Sequence, residues 1–448
     1  MQDLLGDAAR RAIRYLHDLE RRGVAPTLDA LARLPELDGA LPAQPCPPAQ
    51  TLRLLDEVGS PATMASAGGR FFGFVIGGAL PVTVASNWLA TAWDQNAALQ
   101  APAPAVAALE ATALRWMLEL LGLPAHSAGA FVTGATMANF SALAAARHAV
   151  LARAGWSVEA DGLFGAPPIT VVVGDEAHPT LMKSLGMLGL GRNRVQRVAV
   201  DGQGRMRADS LPALAGPAIV CLQAGNLHTG AFDPFMDIVP AARDAGAWVH
   251  VDGAFGLWAS ASPALAPLAA GMALADSWAT DAHKWLNVPY DSGIAFVRDA
   301  DALRSAMAIS ADYLPAGDAR NPSDFTPELS RRARGVDAWA ALHTLGRAGV
   351  AALLERCCGH ARRFAHELRA AGFEILNDVM LNQVLVSFGD AQATLRIVAA
   401  LQAEGTCWCG PTRWQGRTAM RISVCSWATT DDDVTRSIAA MCKVVHRL

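Results

Sequence analysis

Leu5, Ala9, Ile13, Leu16 and Leu19 fall at helical spacing with charged residues between them, which predicts a helix over 3–23 that stops near Gly23. Thr27 is a candidate N-cap for a second, short helix reaching Leu34. Pro35, Pro42, Pro45, Pro47 and Pro48 then mark an extended connection. From about 105 to 300 the pattern alternates. Helices are expected at Val106–Leu121, Met137–Arg153 and Leu181–Leu190. Short apolar strands are expected at Ala130–Val132, Ile169–Val173, Ala218–Gln223, Ala247–Val251, Asp276–Thr280 and Gly293–Val297. Such alternation argues for a mostly parallel sheet covered on both faces, with ligands at the carboxyl ends of its strands. After Asp299 the pattern becomes that of a small α+β domain. Its helices are expected at Arg334–Leu345, Val350–Ala371 and Asp431–Val445, and its strands at Leu381–Phe388 and Arg421–Cys425. No internal repeat is visible.

Composition narrows the class. The chain has 448 residues, enough for a large core, and 52% of them are hydrophobic. Lys+Arg number 37 against 41 Asp+Glu, so no basic excess points to nucleic acid or an anionic membrane, and a small-molecule substrate is the default. Cys357-Cys358 and Cys407/Cys409 lack a second pair or a His at zinc spacing, so reduced structural thiols in a cytoplasmic protein are expected and no metal is assigned. The N-terminus has no basic start followed by an apolar run, so no signal peptide is expected. Two uncharged stretches, Phe71–Trp93 and Gly253–Ala275, are long enough to span a bilayer. Both are interrupted by Gly and Pro, which would leave backbone groups unpaired in lipid. They read as buried interior.

Four strand ends carry polar groups. Thr133-Gly134-Ala135-Thr136 lies between a strand and a helix, where small residues, hydroxyls and a helix N-terminus suit a phosphate; such turns are also common without ligands. His178 follows the Ile169–Val173 strand and has an equally simple structural reading. Asp252 ends an apolar strand, where a carboxylate needs a cation or donors; a helix cap or ion pair would serve as well. Lys284, in Asp281-Ala282-His283-Lys284-Trp285, is costly to bury unless it does chemistry, or else covers apolar surface with its stem. Together they meet the needs of pyridoxal 5′-phosphate (PLP). That cofactor wants a lysine for its aldehyde, an acid for its pyridine nitrogen, a phosphate cradle and an aromatic on the ring face.

The chain resembles the group II PLP-dependent decarboxylases of fold type I, the family of aromatic-L-amino-acid and glutamate decarboxylases. The resemblance runs from about Phe71 to the end. It is carried by RFFGFVIGGALP at 70–81, GAFVTGATMANFSALAAAR at 129–147, DEAHPTLMKSLGMLGLG at 175–191, QAGNLHTGAFDP at 223–234, WVHVDGAFG at 248–256, SWATDAHKWLNVPYDSG at 277–293 and SRRARG at 330–335. It implies an α/β, aspartate aminotransferase-like fold: an N-terminal dimer-wrapping segment over 1–95, a large PLP-binding domain over 96–315 and a small α+β domain over 316–448. By resemblance, Lys284 holds the cofactor aldehyde, Asp252 pairs with the pyridinium, His178 stacks on the ring and Ala254 packs on its other face. Gly134, Ala135, Thr136, His283 and Asp281 surround the phosphate, with Asn226 near the cofactor. Arg421 matches an arginine that meets the substrate carboxylate in glutamate decarboxylases, with a structural salt bridge as its alternative. Phe74 falls in a pocket-forming segment.

The departures bear on the outcome. Met137 stands where family members often have Glu, Asn226 where Thr or Ser is usual, and His228 where Asn is common. The decarboxylases use a loop tyrosine to protonate the substrate carbon after carbon dioxide leaves. Between Tyr313 and Arg331 this chain has no tyrosine, and Phe325 is the only aromatic. The expected reaction is decarboxylation of an L-amino acid, with an aromatic or apolar side chain favoured by Phe71, Phe72 and Phe74. Aldehyde-forming oxidative deamination, other PLP lyase or aminotransferase chemistry, and a catalytically silent homologue are the alternatives. The resemblance also implies a homodimer with its active site at the subunit interface.

Overall fold

The computed structural model describes residues 1–309 and 320–447; Tyr313 lies outside them. Strands β1 (Ala128–Val132), β2 (Thr170–Gly174), β3 (Gln196–Val198), β4 (Ala218–Gln223), β5 (Trp248–Asp252), β6 (Ser277–Asp281) and β7 (Gly293–Val297) form a seven-stranded sheet in the order β1-β7-β6-β5-β4-β2-β3. Only β7 runs against the others. β5, β6 and β7 are buried along their whole length. β7 accordingly reads as a continuous apolar run, whereas β5 and β6 bury the polar side chains His250, Asp252, Ser277 and Asp281. The helix Ala135–Arg153 covers one face of the sheet. Its alanines, among them Ala138, Ala142, Ala145 and Ala146, let it approach closely and join a core with Val132, Val171, Val173 and Ile219.

Strands β8 (Glu374–Ile375), β9 (Gln383–Ser387), β10 (Gly410–Trp414) and β11 (Arg417–Ser423) form a second sheet in the order β10-β11-β9-β8. The chain separates into two compact units. One comprises 1–78, 360–376 and 384–448, the other 79–359 and 377–383. The first unit is woven from both ends of the sequence: Phe72 N–H donates to the Trp408 carbonyl and Ser423 N–H to the Phe72 carbonyl. Distant segments zipped in this way leave no single break in composition to mark a boundary.

The two apolar stretches are neither spanning nor continuous. Pro81–Trp93 is a helix of 13 residues. Gly253–Ala275 folds into three short 3₁₀ turns whose Leu257, Trp258 and Ala259 are fully buried. No helix among the described residues is long and apolar enough to cross a membrane. The helices expected on either side of Leu345–Val350 form one run, Arg334–Ala370, interrupted at Gly346, whose φ of 57° is the left-handed conformation glycine tolerates. Phe325 ends a short turn and packs into the core beside the Ala135–Arg153 helix, with Arg320 over its ring.

Candidate active site

The site is built in the second unit from the carboxyl ends of β1, β2, β5 and β6. β5 ends in Asp252, which is only 5% exposed. Asp252 Oδ2 accepts from Asn139 Nδ2 at 3.1 Å and Oδ1 from the Ala254 N–H at 3.3 Å. Burial pushes this carboxyl up; the nearby His178 and Lys284 and the two hydrogen bonds pull against that rise. His178 and Asp252 line one cavity together with Gly174, Ala177, Leu181, Cys221 and Gln223.

His178 is the N-cap of the helix Pro179–Met187. Its Nδ1 accepts the Thr180 N–H at 3.2 Å and lies 2.6 Å from Thr180 Oγ1. A ring nitrogen that accepts an amide proton carries none in the neutral imidazole, so Nε2 bears the proton of His178. Ser184 Oγ, on the same helix, donates to the Thr136 carbonyl at 2.8 Å, which ties the His178 helix to the turn after β1.

β6 ends in Asp281, and Lys284 follows on a short helical turn. Lys284 Nζ lies 2.8 Å from Asp281 Oδ2, and its side chain is 19% exposed. The other Asp281 oxygen accepts the Ala135 N–H at 2.6 Å and stands 3.5 Å from His283 Nε2. The first amide of the Ala135–Arg153 helix is therefore engaged by a carboxylate, leaving the following amides and the Thr136 hydroxyl for a phosphate. Burial pushes His283 below the ordinary histidine value. Its Nδ1 accepts the Ser292 N–H at 3.0 Å, and its ring lies against Tyr290 with centroids 4.3 Å apart and the planes tilted by 30°. Ala254 joins the two edges: its N–H reaches Asp252 while its carbonyl accepts the Asp281 N–H at 2.9 Å.

These residues fit PLP. An amine, a buried carboxylate and an imidazole converge at the strand ends, beside the N-terminus of the Ala135–Arg153 helix. A Cβ placed on Gly134 would lie 3.3 Å from His283 Cε1 and 3.4 Å from Asp281 Oδ1, so glycine at 134 leaves room between these two side chains and the turn. Asn226 stands apart in its engagements. Its Oδ1 accepts the His228 and Thr229 amides, and its Nδ2 donates to Glu176 at 3.0 Å. Arg421 and Phe74 belong to the first unit. Arg421 lies in β11 opposite Gly410, and burial pushes it down to about 10. Phe74 is 64% exposed, has a φ of 54° and stacks against Trp408 at 5.5 Å. Phe71 and Phe72 are buried in their own unit.

Sequence reasoning passed over Asn139, His250 and Ser277, which stand in line behind Asp252. One signal was available: His250 and Asp252 are two residues apart on a strand, hence on the same face of the sheet.

A mostly parallel sheet that brings a lysine, an acid and a histidine to its carboxyl edge defines a fold type I PLP enzyme. The model of the pyridoxal-dependent decarboxylase conserved domain matches residues 61–389. The chain belongs to that family, and its cofactor is PLP. It is 25% identical to the aromatic-L-amino-acid decarboxylase of Bacillus atrophaeus, over 77% of this chain and 72% of that one. It is 28% identical to the L-2,4-diaminobutyrate decarboxylase of Rhizobium meliloti (strain 1021), over 81% and 74%. Its fold matches the crystal structure of Oryza sativa TDC with PLP and tryptamine, with a TM-score of 0.92 at 22% identity, covering 100% of this chain and 97% of that one.

Proposed function

We propose that this enzyme decarboxylates an L-amino acid with an aromatic or apolar side chain, releasing the amine. The observation that carries the site assignment is the convergence of Lys284, Asp252 and His178 at one sheet edge. Lys284 supplies the amine that holds the cofactor aldehyde, and Asp281, 2.8 Å away, keeps that amine at the strand end. Bound PLP supplies an electron-withdrawing ring that takes up the electron pair left when carbon dioxide departs. Asp252 would pair with the protonated ring nitrogen and keep that proton in place, so that the ring stays able to accept electrons. Ala254 closes the face opposite His178. Gly134, Thr136 and His283 hold the phosphate, while Asp281 takes the Ala135 N–H and so fixes the start of the helix beside it. Asn226 acts at a distance, shaping the 226–230 turn beside the site.

His178 holds a proton at Nε2 and is our candidate to return it to the substrate carbon, since no tyrosine lies between 314 and 331. For the substrate we carry forward Arg421, cationic even at about 10, as the carboxylate contact and Phe74 as a side-chain contact. The aromatic lean is supported by Phe74 and by the relative from Bacillus atrophaeus. The test is a panel of aromatic, aliphatic, acidic and diamino acids given to the holoenzyme, with carbon dioxide and amine measured together. Aromatic substrates turn over fastest on this reading; exclusive turnover of diamino or acidic ones would overturn the side-chain assignment.

The missing loop tyrosine favours one second reading, decarboxylation coupled to oxygen consumption, giving an aldehyde, ammonia and peroxide; peroxide in step with carbon dioxide would select it. We further propose a cytoplasmic homodimer. The helix Pro81–Trp93 exposes Trp88, Leu89 and Trp93, and the helix Gln2–Asp18 exposes Leu5, Ile13 and Leu16. Such faces ask for cover. A monomeric mass in solution would remove the proposal.

A further inference from the structure

Behind Asp252 lies a chain of buried side chains, each within hydrogen-bond distance of the next. Trp248 Nε1 is 2.8 Å from Ser277 Oγ, Ser277 Oγ is 2.9 Å from His250 Nδ1, and His250 Nε2 is 2.8 Å from Asn139 Oδ1. Asn139 Nδ2 is 3.1 Å from Asp252 Oδ2. Ser277, His250 and Asn139 are fully buried, so water cannot complete or reverse any link.

The direction of donation follows from the first member. An indole N–H can only donate, so Ser277 Oγ accepts from Trp248 and has its own proton to give. Burial pushes His250 down to about 3, which keeps its ring neutral with one nitrogen accepting and one donating. If Ser277 donates to Nδ1, His250 donates from Nε2 to Asn139 Oδ1, and Asn139 Nδ2 donates to Asp252. The reversed order would turn the Asn139 oxygen towards the Asp252 carboxylate, two acceptors face to face, unless Asp252 took up a proton. It would also leave the Ser277 proton without its histidine acceptor. With Asp252 ionised, every link points the same way.

We infer that Trp248, Ser277, His250 and Asn139 form a one-way donor chain that fixes Asp252 as an ionised acceptor aimed at the cofactor ring nitrogen. They are positioning residues, acting through Asp252. This deepens the proposed function, since it rests on the reading of Asp252 as the partner of the ring nitrogen.

The test compares apoenzyme affinity for PLP with affinity for 1-deaza-PLP, which keeps the aldehyde and phosphate but has carbon in place of the ring nitrogen. The parent favours PLP by roughly 10- to 100-fold, the range for a charge-assisted hydrogen bond. Asn139→Leu, which removes the last donor, cuts that preference by about tenfold and leaves affinity for the deaza compound unchanged. Ser277→Ala, which deletes one distant hydroxyl, gives a preference between the two and guards against misfolding of the first variant. Equal affinity of the parent for both compounds would overturn the Asp252 assignment and the chain with it. A parental preference that both variants retain would overturn the chain alone, as would an equal loss of affinity for both compounds.

Discussion

Asp252→Asn keeps the shape of the side chain and removes its charge, so it isolates what the buried carboxylate contributes. The two Asp252 oxygens receive two donors, Asn139 Nδ2 at 3.1 Å and the Ala254 N–H at 3.3 Å. A carboxamide has one oxygen, so either orientation sets its NH₂ against one of them. Turning Asn139 to relieve the clash would present an NH₂ to His250 Nε2, which already carries a proton in the order derived above. One buried donor is left unmatched, at a cost of about 1–3 kcal/mol in stability. The effect on the reaction is larger. Breaking one side of a buried opposite-charge pair costs about 3–5 kcal/mol. Felt in the transition state, that is roughly a 10²- to 10⁴-fold loss of rate, at about 1.36 kcal/mol per decade. The assay is single-turnover release of carbon dioxide by fully PLP-loaded enzyme, with thermal unfolding of the same preparation alongside. A variant that folds, retains PLP and reacts within about tenfold of the parent would refute the role given to Asp252.

Three further outcomes are expected. A Cβ on Gly293 would lie 2.4 Å from the Gly134 Cα, with backbone rather than a flexible side chain in its way. Gly293→Ala should therefore destabilise by about 1–3 kcal/mol and speed PLP loss, read by thermal unfolding and cofactor release; parental values for both would contradict the packing argument. Arg331 and Glu110 form a fully buried ion pair at 2.8 Å, and Arg331 also donates to the Ala97 and Phe131 carbonyls. Arg331→Met should cost about 3–5 kcal/mol in denaturant unfolding, because it leaves the buried Glu110 charge with the more distant Arg320, 3.9 Å away, and removes the donors to two buried carbonyls. Burial pushes the Asp233 carboxyl up to about 6, despite amide donors from Met206 and Gln223. Folding therefore takes up a proton there: the stabilising contribution is full below about pH 4 and is lost as pH rises through about 6. The stability difference between the parent and Asp233→Asn should shrink by about 3 kcal/mol across that window in urea titrations; a difference that grows with pH would reverse the sign.

The strands that frame the site were legible because they are buried on both faces. Ala218–Gln223 and Gly293–Val297 read as unbroken apolar runs and form β4 and β7 over those residues. Lys284, Asp252 and His178 stood out because a polar group at the end of such a run is expensive. The helix Pro81–Trp93 was hidden by its uniform lack of charge, which gave no polar face to set its period. β3, three residues long, and β10, with alternating exposed positions, carried too little apolar signal. The reach of Asp281 to both Lys284 and Ala135 was not legible, because it depends on a loop-to-helix approach across 146 residues of sequence. Asn139 sits in a helix of small residues, where an asparagine looks like one more polar position. Only folding sets it between His250 and Asp252.

The most direct test of the whole account is borohydride reduction of the holoenzyme, followed by peptide mass analysis. Reduction locks the carbonyl–amine linkage, and the account predicts that the pyridoxyl mass appears on the peptide containing Lys284. The same mass on Lys183 or Lys443, or on no lysine while the cofactor absorbance is present, would contradict it.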